Sequence, residues 1–134
     1  MGKTRARTPA AGITLDTGGL IALDRGDPRM IALLQQALAQ GRAFRVPSGA
    51  LAQAWRDGRT QVTLARFLRG EEVEIIPLDD QLARSCGELC GATHTADIID
   101  ASVVILARER RDFIVTSDPH DLQHLDPEAP IIPV

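Results

Sequence analysis

Apolar residues recur along the chain at two spacings, and the two spacings alternate. Short apolar runs rich in β-branched residues predict four strands, over residues 13–15, 43–46, 73–76 and 113–116. Residues 131–132, between two prolines, fit a fifth strand at an edge of the sheet. Apolar residues at helical spacing predict helices over residues 28–40, 47–58, 59–68, 79–91 and 95–110, and a short helical turn over 118–125. The pattern therefore predicts an α/β fold with three layers, in which helices flank a central, mostly parallel sheet of four or five strands.

The length of 134 residues and the hydrophobic share of 44% are typical of one compact domain. Residues 1–11 are basic and lack apolar periodicity, so we expect a flexible tail there and a single domain over residues 12–134. No apolar run is long enough to span a bilayer, and no signal-peptide pattern precedes the first strand. We therefore expect a cytoplasmic protein that does not contact a membrane.

The charged residues are unevenly distributed among the residue types. The acids are 12 Asp against 6 Glu, and beyond residue 11 the net charge is −6. Such a domain has no overall basic field, so nucleic-acid binding would need a local basic patch. Arg59, Arg66 and Arg69 fall at i, i+7 and i+10 of a predicted helix, with Arg56 just before them. This spacing is typical of a solvated helix face, and the functional alternative is a phosphate-holding stripe that would bind a nucleic acid such as RNA.

The cysteines and histidines do not predict a metal site. Cys86 and Cys90 lie four residues apart on a predicted helix, without the partner ligands that a zinc site needs, so we expect reduced thiols. His94, His120 and His124 form no pattern with a serine or cysteine nucleophile. We therefore expect the histidines at the surface.

Trp55 is the only tryptophan of the chain. It shares one face of the predicted helix over residues 47–58 with Leu51 and Ala52. This apolar face predicts that Trp55 is an anchor in the core or in an interface.

Two aspartates directly follow predicted strands. Asp16 comes after the first strand and Asp118 after the fourth. In an open α/β sheet the ligand crevice lies outside the carboxyl ends of the strands, where both carboxylates would lie. Each aspartate could instead cap the helix that follows it.

Asp97 and Asp100 lie three residues apart at the start of the helix predicted over residues 95–110. The helix dipole alone explains an acid at Asp97. Asp100, however, shares its face with Val103, Val104 and Ala107, the apolar stripe that faces the sheet. An ionised carboxylate there costs several kcal/mol unless it is paired or bound to a metal, so we expect Asp100 to be a ligand.

Four carboxylates converge if the strands that bear Asp16 and Asp118 flank the helix that bears Asp100. The chain has no lysine beyond Lys3 to neutralise them. Such a cluster repels itself unless it holds a hard divalent cation, and oxygen ligands favour Mg²⁺ or Mn²⁺. The matching chemistry is metal-assisted hydrolysis of a phosphodiester. A response-regulator receiver would need a lysine at the carboxyl end of a late strand, and a haloacid dehalogenase phosphatase would need a second aspartate two residues after Asp16. The chain has neither residue, which argues against both classes.

Four segments together resemble the PIN domain, especially the ribonuclease toxins of the VapC type. They begin at Leu15, Val46, Asp97 and Thr116, and they read LDTGGLIAL, VPSGALAQAW, DIIDA and TSDPHDL. The resemblance covers residues 13–134. It implies a PIN-like fold and a toxin–antitoxin endoribonuclease that hydrolyses RNA with Mg²⁺ or Mn²⁺. It also implies a homodimer and a small VapB-like antitoxin as partner.

The same resemblance assigns roles to individual residues. It implies that Asp16 and Asp100 are the main metal ligands and that Asp118 is a supporting ligand. Asp121 could replace Asp118, and Asp97 would be an additional acid of the catalytic site.

Gln53 departs from the family pattern, which usually has a glutamate on the helix after the second strand. An amide can bind a cation through its oxygen, but it adds no negative charge and cannot act as a base. Asp57, one turn further along, could replace the glutamate only if the end of the helix bends inward. The alternative function is therefore a catalytically weakened or inert PIN domain that binds RNA or protein.

Overall fold

A computed structural model describes residues 11–134, which form five strands and seven helices. The strands are β1 (Ile13–Leu15), β2 (Phe44–Pro47), β3 (Val73–Ile76), β4 (Phe113–Thr116) and β5 (Ile131–Pro133). The helices are α1 (Thr17–Asp24), α2 (Pro28–Ala39), α3 (Ser48–Ala54), α4 (Val62–Leu68), α5 (Asp80–Thr93), α6 (Ile98–Arg110) and α7 (Pro119–Leu125). The flexible tail predicted over residues 1–11 lies, except for its last residue, outside the described residues.

All strand pairs of the sheet are parallel, and the strand order is β3-β2-β1-β4-β5. In the register, Thr14 of β1 pairs with Arg45 of β2 on one side and with Ile114 of β4 on the other. The predicted α/β fold with a four- to five-stranded parallel sheet is confirmed, including the fifth strand at the edge.

Two apolar clusters cover the two faces of the sheet. The first cluster packs α1 to α4 against residues such as Ile13 and Leu15, and the second packs α5 to α7 against Ile114. Side chains alternate between the faces of a strand, which is why the β4 neighbours Ile114 and Val115 belong to different clusters. The two cysteines are free and lie buried in the second cluster.

Helix α1 directly after Asp16 was not predicted, because two adjacent glycines make this segment a poor helix former. The fold requires the second of them. A Cβ atom on Gly19 would lie 2.8 Å from the carbonyl oxygen of Val115 in β4. The first turn of α1 therefore packs directly on the backbone of the neighbouring strand, and this close contact places Asp16 between β1 and β4.

Helix α3 ends at Ala54, so the predicted continuation to Gly58 is wrong. Trp55 has an extended backbone conformation and is 36% exposed, and Ala52 is exposed as well. A core position of Trp55 is thus wrong, and its alternative role as an interface anchor stays a prediction. The reason is Gln61, whose side chain donates to the Ala54 carbonyl and accepts from two backbone N–H groups of the following loop.

Helix α6 begins after Asp97, not at Thr95 as predicted. The Asp97 side chain accepts a hydrogen bond from the backbone N–H of Asp100, at 2.9 Å, and so caps the helix. The two acids are therefore a cap and its partner in the first turn rather than two residues of one helix face.

The amino end of the sheet holds a buried ion pair. Asp112 is fully buried and accepts hydrogen bonds from the Arg45 guanidinium at 2.6 Å and from the Thr14 hydroxyl at 2.9 Å. This pairing offsets the cost of burying the Asp112 charge.

No single described helix is long and apolar enough to cross a membrane. Helices α5 and α6 reach that length only together, and they are bent by 107° relative to each other.

We expect Gly19→Ala to lower the free energy of unfolding by about 1–2 kcal/mol, because the added methyl group has to displace the Val115 carbonyl. Gly87→Ala is the matched control, since a Cβ at this helical position meets no atom within 4 Å. The control should raise stability by about 0.5–1 kcal/mol. Urea unfolding measures both variants, and equal gains in stability would contradict the close packing at Gly19.

Candidate active site

The sheet has a switch point between β1 and β4. These strands are neighbours, but the helices that follow them, α1 and α7, pack on opposite faces. A crevice opens at the carboxyl ends of two such strands, where ligands bind in open α/β sheets. Asp16 directly follows β1 and Asp118 follows β4, so both predicted residues lie at this crevice.

The Asp16 carboxylate is buried, with 6% of the residue exposed. One oxygen accepts the backbone N–H of Gly19 at 2.7 Å, which caps α1, and the other accepts the hydroxyl of Thr116. Burial raises the pKa of Asp16 above its ordinary value, and the nearby Asp118 carboxylate raises it further. The helix cap predicted as the alternative for Asp16 is therefore confirmed, and its role as a ligand of the site stays a prediction.

Thr116 is a residue of the site that the sequence analysis missed. Its hydroxyl donates to Asp16 and accepts the backbone N–H of Asp118 at 2.8 Å, so it links the ends of β1 and β4. Thr116 is fully buried. The signal that could have found it is a hydroxyl residue at the end of a buried strand, two residues before an aspartate.

Asp100 is the most strongly perturbed carboxyl group of the site. Burial and the charges of Asp97, Asp16 and Asp121, together with a hydrogen bond to Asp97, raise the pKa of Asp100 to about 7. Asp100 thus feels the charges of Asp97, Asp16 and Asp121, whereas the charge of Asp118 acts on Asp16. The convergence of four carboxylates around one cation stays a prediction. The roles of these residues as metal ligands stay a prediction.

Gln53 lies at the rim of the site on α3. Its side-chain oxygen accepts the hydroxyl of Thr17 at 2.6 Å, directly after Asp16 in the chain. Asp57 is not a replacement, because Arg59 binds its carboxylate at 3.2 Å and, through hydrogen bonds, lowers the pKa of Asp57. The α3 residue at this rim is therefore an uncharged amide, and its correspondence to the glutamate implied by the resemblance stays a prediction.

The acids of the site form no ion pair with an arginine in the described part of the chain. Within residues 11–134, no three His, Cys, Asp or Glu side chains come together closely enough to hold a metal ion by themselves. Mg²⁺ commonly binds through one or two carboxylates and completes its coordination with water and substrate phosphates. The oxygen donors present fit such a partly hydrated cation better than a cage of protein ligands.

A cavity of about 300 Å³ opens between the start of α6 and α7. We call it the His–Asp cavity, and its lining residues are Thr95, Ala96, Asp97, Asp100, His120, Asp121, His124 and Leu125. All three histidines are exposed, as predicted, and His120 and His124 line a cavity that also contains Asp100. His94 is not among the lining residues and ends α5 in the left-handed conformation, with φ of 57°.

The four arginines of the predicted RNA-binding stripe are exposed, but they do not share one helix face. Arg59 precedes α4 and Arg69 follows it, because this helix covers only Val62–Leu68. The Arg56 guanidinium donates to the Ala52 and Trp55 carbonyls at the end of α3, and Arg59 is paired with Asp57. The common face is wrong, and RNA binding by these residues stays a prediction.

Solved structures with the same fold are known. The chain is similar to VapBC2 from Rickettsia felis, bound to a DNA fragment from their promoter, with a TM-score of 0.66 and 17% identity, over 91% of this chain and 98% of the other. It is also similar to Mycobacterium tuberculosis VapC20, a toxin that cleaves the sarcin-ricin loop, with a TM-score of 0.58 and 16% identity, over 79% and 88% of the two chains. No family model and no curated protein matches the sequence. The fold is therefore that of the VapC-type PIN domains, as the resemblance implied.

We expect Asp100→Asn to stabilise the metal-free chain at high pH. Below about pH 4 Asp100 is protonated in both the folded and the unfolded chain, so its ionisation costs nothing. As the pH rises toward and through 7, the unfolded chain releases this proton more readily than the folded chain, and stability falls. The variant lacks this loss. Its free energy of unfolding should therefore exceed that of the unmodified chain by nearly zero at pH 4 and by about 1–3 kcal/mol at pH 8.

Urea unfolding in EDTA at the two pH values measures this difference. Asp80→Asn is the control, because this exposed acid pairs with Arg84 and lies outside the site. If Asp100→Asn raised the free energy of unfolding equally at both pH values, the raised pKa of Asp100 would be contradicted.

Proposed function

We propose that the protein is a divalent-metal-dependent endoribonuclease of the toxin–antitoxin type. The observation that carries the proposal is the buried Asp16 carboxylate at the switch point of a PIN-like sheet, near enough for its charge to help raise the pKa of Asp100. Perturbed carboxyl groups in a crevice are typical of catalytic or metal-binding sites. VapC20, which shares the fold, is a toxin that cleaves RNA at the sarcin-ricin loop, and this supports RNA as the substrate class.

Asp16, Asp100 and Asp118 would hold Mg²⁺ or Mn²⁺. When bound, such a cation supplies charge neutralisation at the phosphodiester and a more acidic water. The residues of the chain set up this site in advance. Thr116 and the Gly19 N–H fix the Asp16 carboxylate in one orientation. The carboxylate therefore does not have to be ordered when a cation binds.

Asp97 and Asp121 would contribute to the site through their effect on the pKa of Asp100. Burial and, after it, the negative charges of Asp97 and Asp121 raise the pKa of Asp100 to about 7, so this carboxyl group exchanges a proton with water near neutral pH. A group with a pKa near the working pH is suited to proton transfer, and it also releases its proton readily when a cation binds.

Gln53 supports a second candidate function. Its amide oxygen accepts from Thr17, and the uncharged side chain leaves the rim of the site one negative charge short of the usual family pattern. A PIN domain with a weaker cation site can bind RNA or protein without cleaving. We infer a metal-binding domain with low intrinsic nuclease activity, and the inert domain is the alternative that the measurements below exclude or support.

We further propose a VapB-like antitoxin as partner. An apolar groove of about 230 Å³ runs between α2, α4 and β3, and its apolar lining includes Leu23, Leu34, Leu38, Phe67 and Val73. Exposed apolar grooves of this kind often receive an amphipathic segment of another protein. The complex from Rickettsia felis supports this kind of partner. The homodimer implied by the resemblance stays a prediction.

Leu38, at 42% exposure, tests the partner proposal with little risk to folding. Leu38→Glu should release a co-expressed antitoxin from the purified complex and leave RNA cleavage by the free chain unchanged. Retention of the antitoxin in pull-down experiments would place the partner elsewhere.

The nuclease proposal is tested with purified chain, single-stranded RNA and Mn²⁺ or Mg²⁺. We expect slow cleavage that EDTA abolishes, and a loss of at least about 100-fold in rate in Asp16→Asn and Asp100→Asn, because both remove ligand charge from the site. Asp80→Asn, outside the site, should cleave like the unmodified chain. Circular dichroism checks that the variants are folded. Cleavage that survives EDTA or Asp100→Asn would rule out the assigned site.

Gln53→Glu restores the charge that the usual family pattern has at this position. Because the carboxylate can still accept from Thr17, we expect the fold to be unchanged and Mn²⁺ binding to be several-fold tighter in calorimetry. The cleavage rate should rise as well. Gln53→Ala serves as the control for loss of the Thr17 contact. Robust turnover by the unmodified chain that Gln53→Glu fails to improve would show that glutamine is not a weakening change.

A further inference from the structure

The His–Asp cavity continues the acidic site but has a different chemistry on its second wall. Asp97 and Asp100 lie on the α6 side, and His120, Asp121 and His124 lie on the α7 side. We propose that this cavity holds the base of a nucleotide next to the cleaved phosphodiester and selects bases that carry an exocyclic amino group. This inference rests on the proposed nuclease function.

The two imidazoles lie one helical turn apart on α7, so they project to the same side of the helix. Both histidines are exposed and line the cavity, where Leu125, with 6% exposure, contributes a buried apolar side chain. Flat aromatic side chains beside an apolar surface are what an unstacked RNA base binds, since single-stranded bases stack on His, Phe, Tyr and Trp.

Other ligands of the cavity fit less well. A metal ion held by side chains of the cavity alone is disfavoured, because no three His or Asp side chains within residues 11–134 come together as a ligand set. The cation proposed above would use Asp100 together with Asp16 and Asp118, which do not line the cavity. A phosphate group is disfavoured as well, because Asp97, Asp100 and Asp121 would repel it. A base is uncharged and therefore avoids this repulsion.

The carboxylates also give the cavity a preference among bases. An ionised carboxylate only accepts hydrogen bonds, so Asp121 pairs well with an amino group such as N4 of cytosine. Uracil has a carbonyl oxygen in place of that amino group, and the two oxygens repel each other. Cytosine and uracil thus differ at the atom that the cavity would recognise.

Nuclear magnetic resonance can test this inference without RNA cleavage. The chain has three histidines, so the imidazole C–H signals can be assigned with one His→Gln variant each. Cytidine, adenosine and uridine are added in turn at fixed pH in EDTA. We expect cytidine and adenosine to shift the signals of His120 and His124 in a saturable way and uridine to shift them several-fold less. His94 is the internal control, because it is not among the residues that line the cavity.

Variants of the cavity separate stacking from base selection. The double variant His120→Ala/His124→Ala should bind cytidine about tenfold more weakly by calorimetry, the effect of losing a stacking contact. Asp121→Asn should reduce the difference between cytidine and uridine, because an amide both donates and accepts. Asp80→Asn should change neither affinity.

The outcomes distinguish this inference from the nuclease proposal. Saturable shifts at His120 and His124 in a chain that cleaves no RNA would support the cavity and contradict the nuclease. RNA cleavage without any nucleoside-dependent shift up to the solubility limit would overturn the cavity and leave the nuclease intact. Equal shifts with cytidine and uridine would overturn the proposed base preference.

Discussion

The Asp16 carboxylate joins the two strands at the centre of the sheet. It directly follows β1, caps α1 through the Gly19 N–H and accepts the hydroxyl of Thr116 at the end of β4. These contacts require the backbone of α1 to lie against the backbone of β4. Residue 19 must therefore be a glycine, because a Cβ atom there would clash with the Val115 carbonyl. The same contacts that complete the fold therefore hold a buried carboxylate at the place where the crevice opens.

Buried acids have opposite kinds of neighbour at the two ends of the sheet. At the amino end, Asp112 is paired with the Arg45 guanidinium at 2.6 Å. At the carboxyl end, Asp16 and Asp100 have acids as neighbours, and both pKa values are raised. A chain selected for stability alone would pair both ends, since an uncompensated buried charge is costly. The acids at the carboxyl end of the sheet, which have no arginine partner among the described residues, therefore lower the stability of the fold, as is typical of functional sites.

Local patterns predicted most of the fold. Strand runs and the helices over residues 28–39 and 80–93 followed directly from apolar spacing, because propensity and burial agree in them. The errors lie where a side chain from another segment changes the backbone. Gln61 ends α3 before Trp55, and the contact of Gly19 with β4 allows a helix in a glycine-rich segment. Neither effect can be found from spacing, since each depends on a contact that only the folded chain makes.

The sequence by itself determined the fold class, the strand-end position of Asp16 and Asp118, and the placing of Asp100 at the edge of an apolar stripe. These conclusions follow from residue type and periodicity, which act within one element. The tertiary structure decided what those residues meet. It brought Thr116 to Asp16, placed Gln53 beside the start of α1 and lined one cavity with Asp100 and histidines of α7. Such meetings depend on strand order and on which face each helix covers, and many sequence patterns are compatible with more than one order.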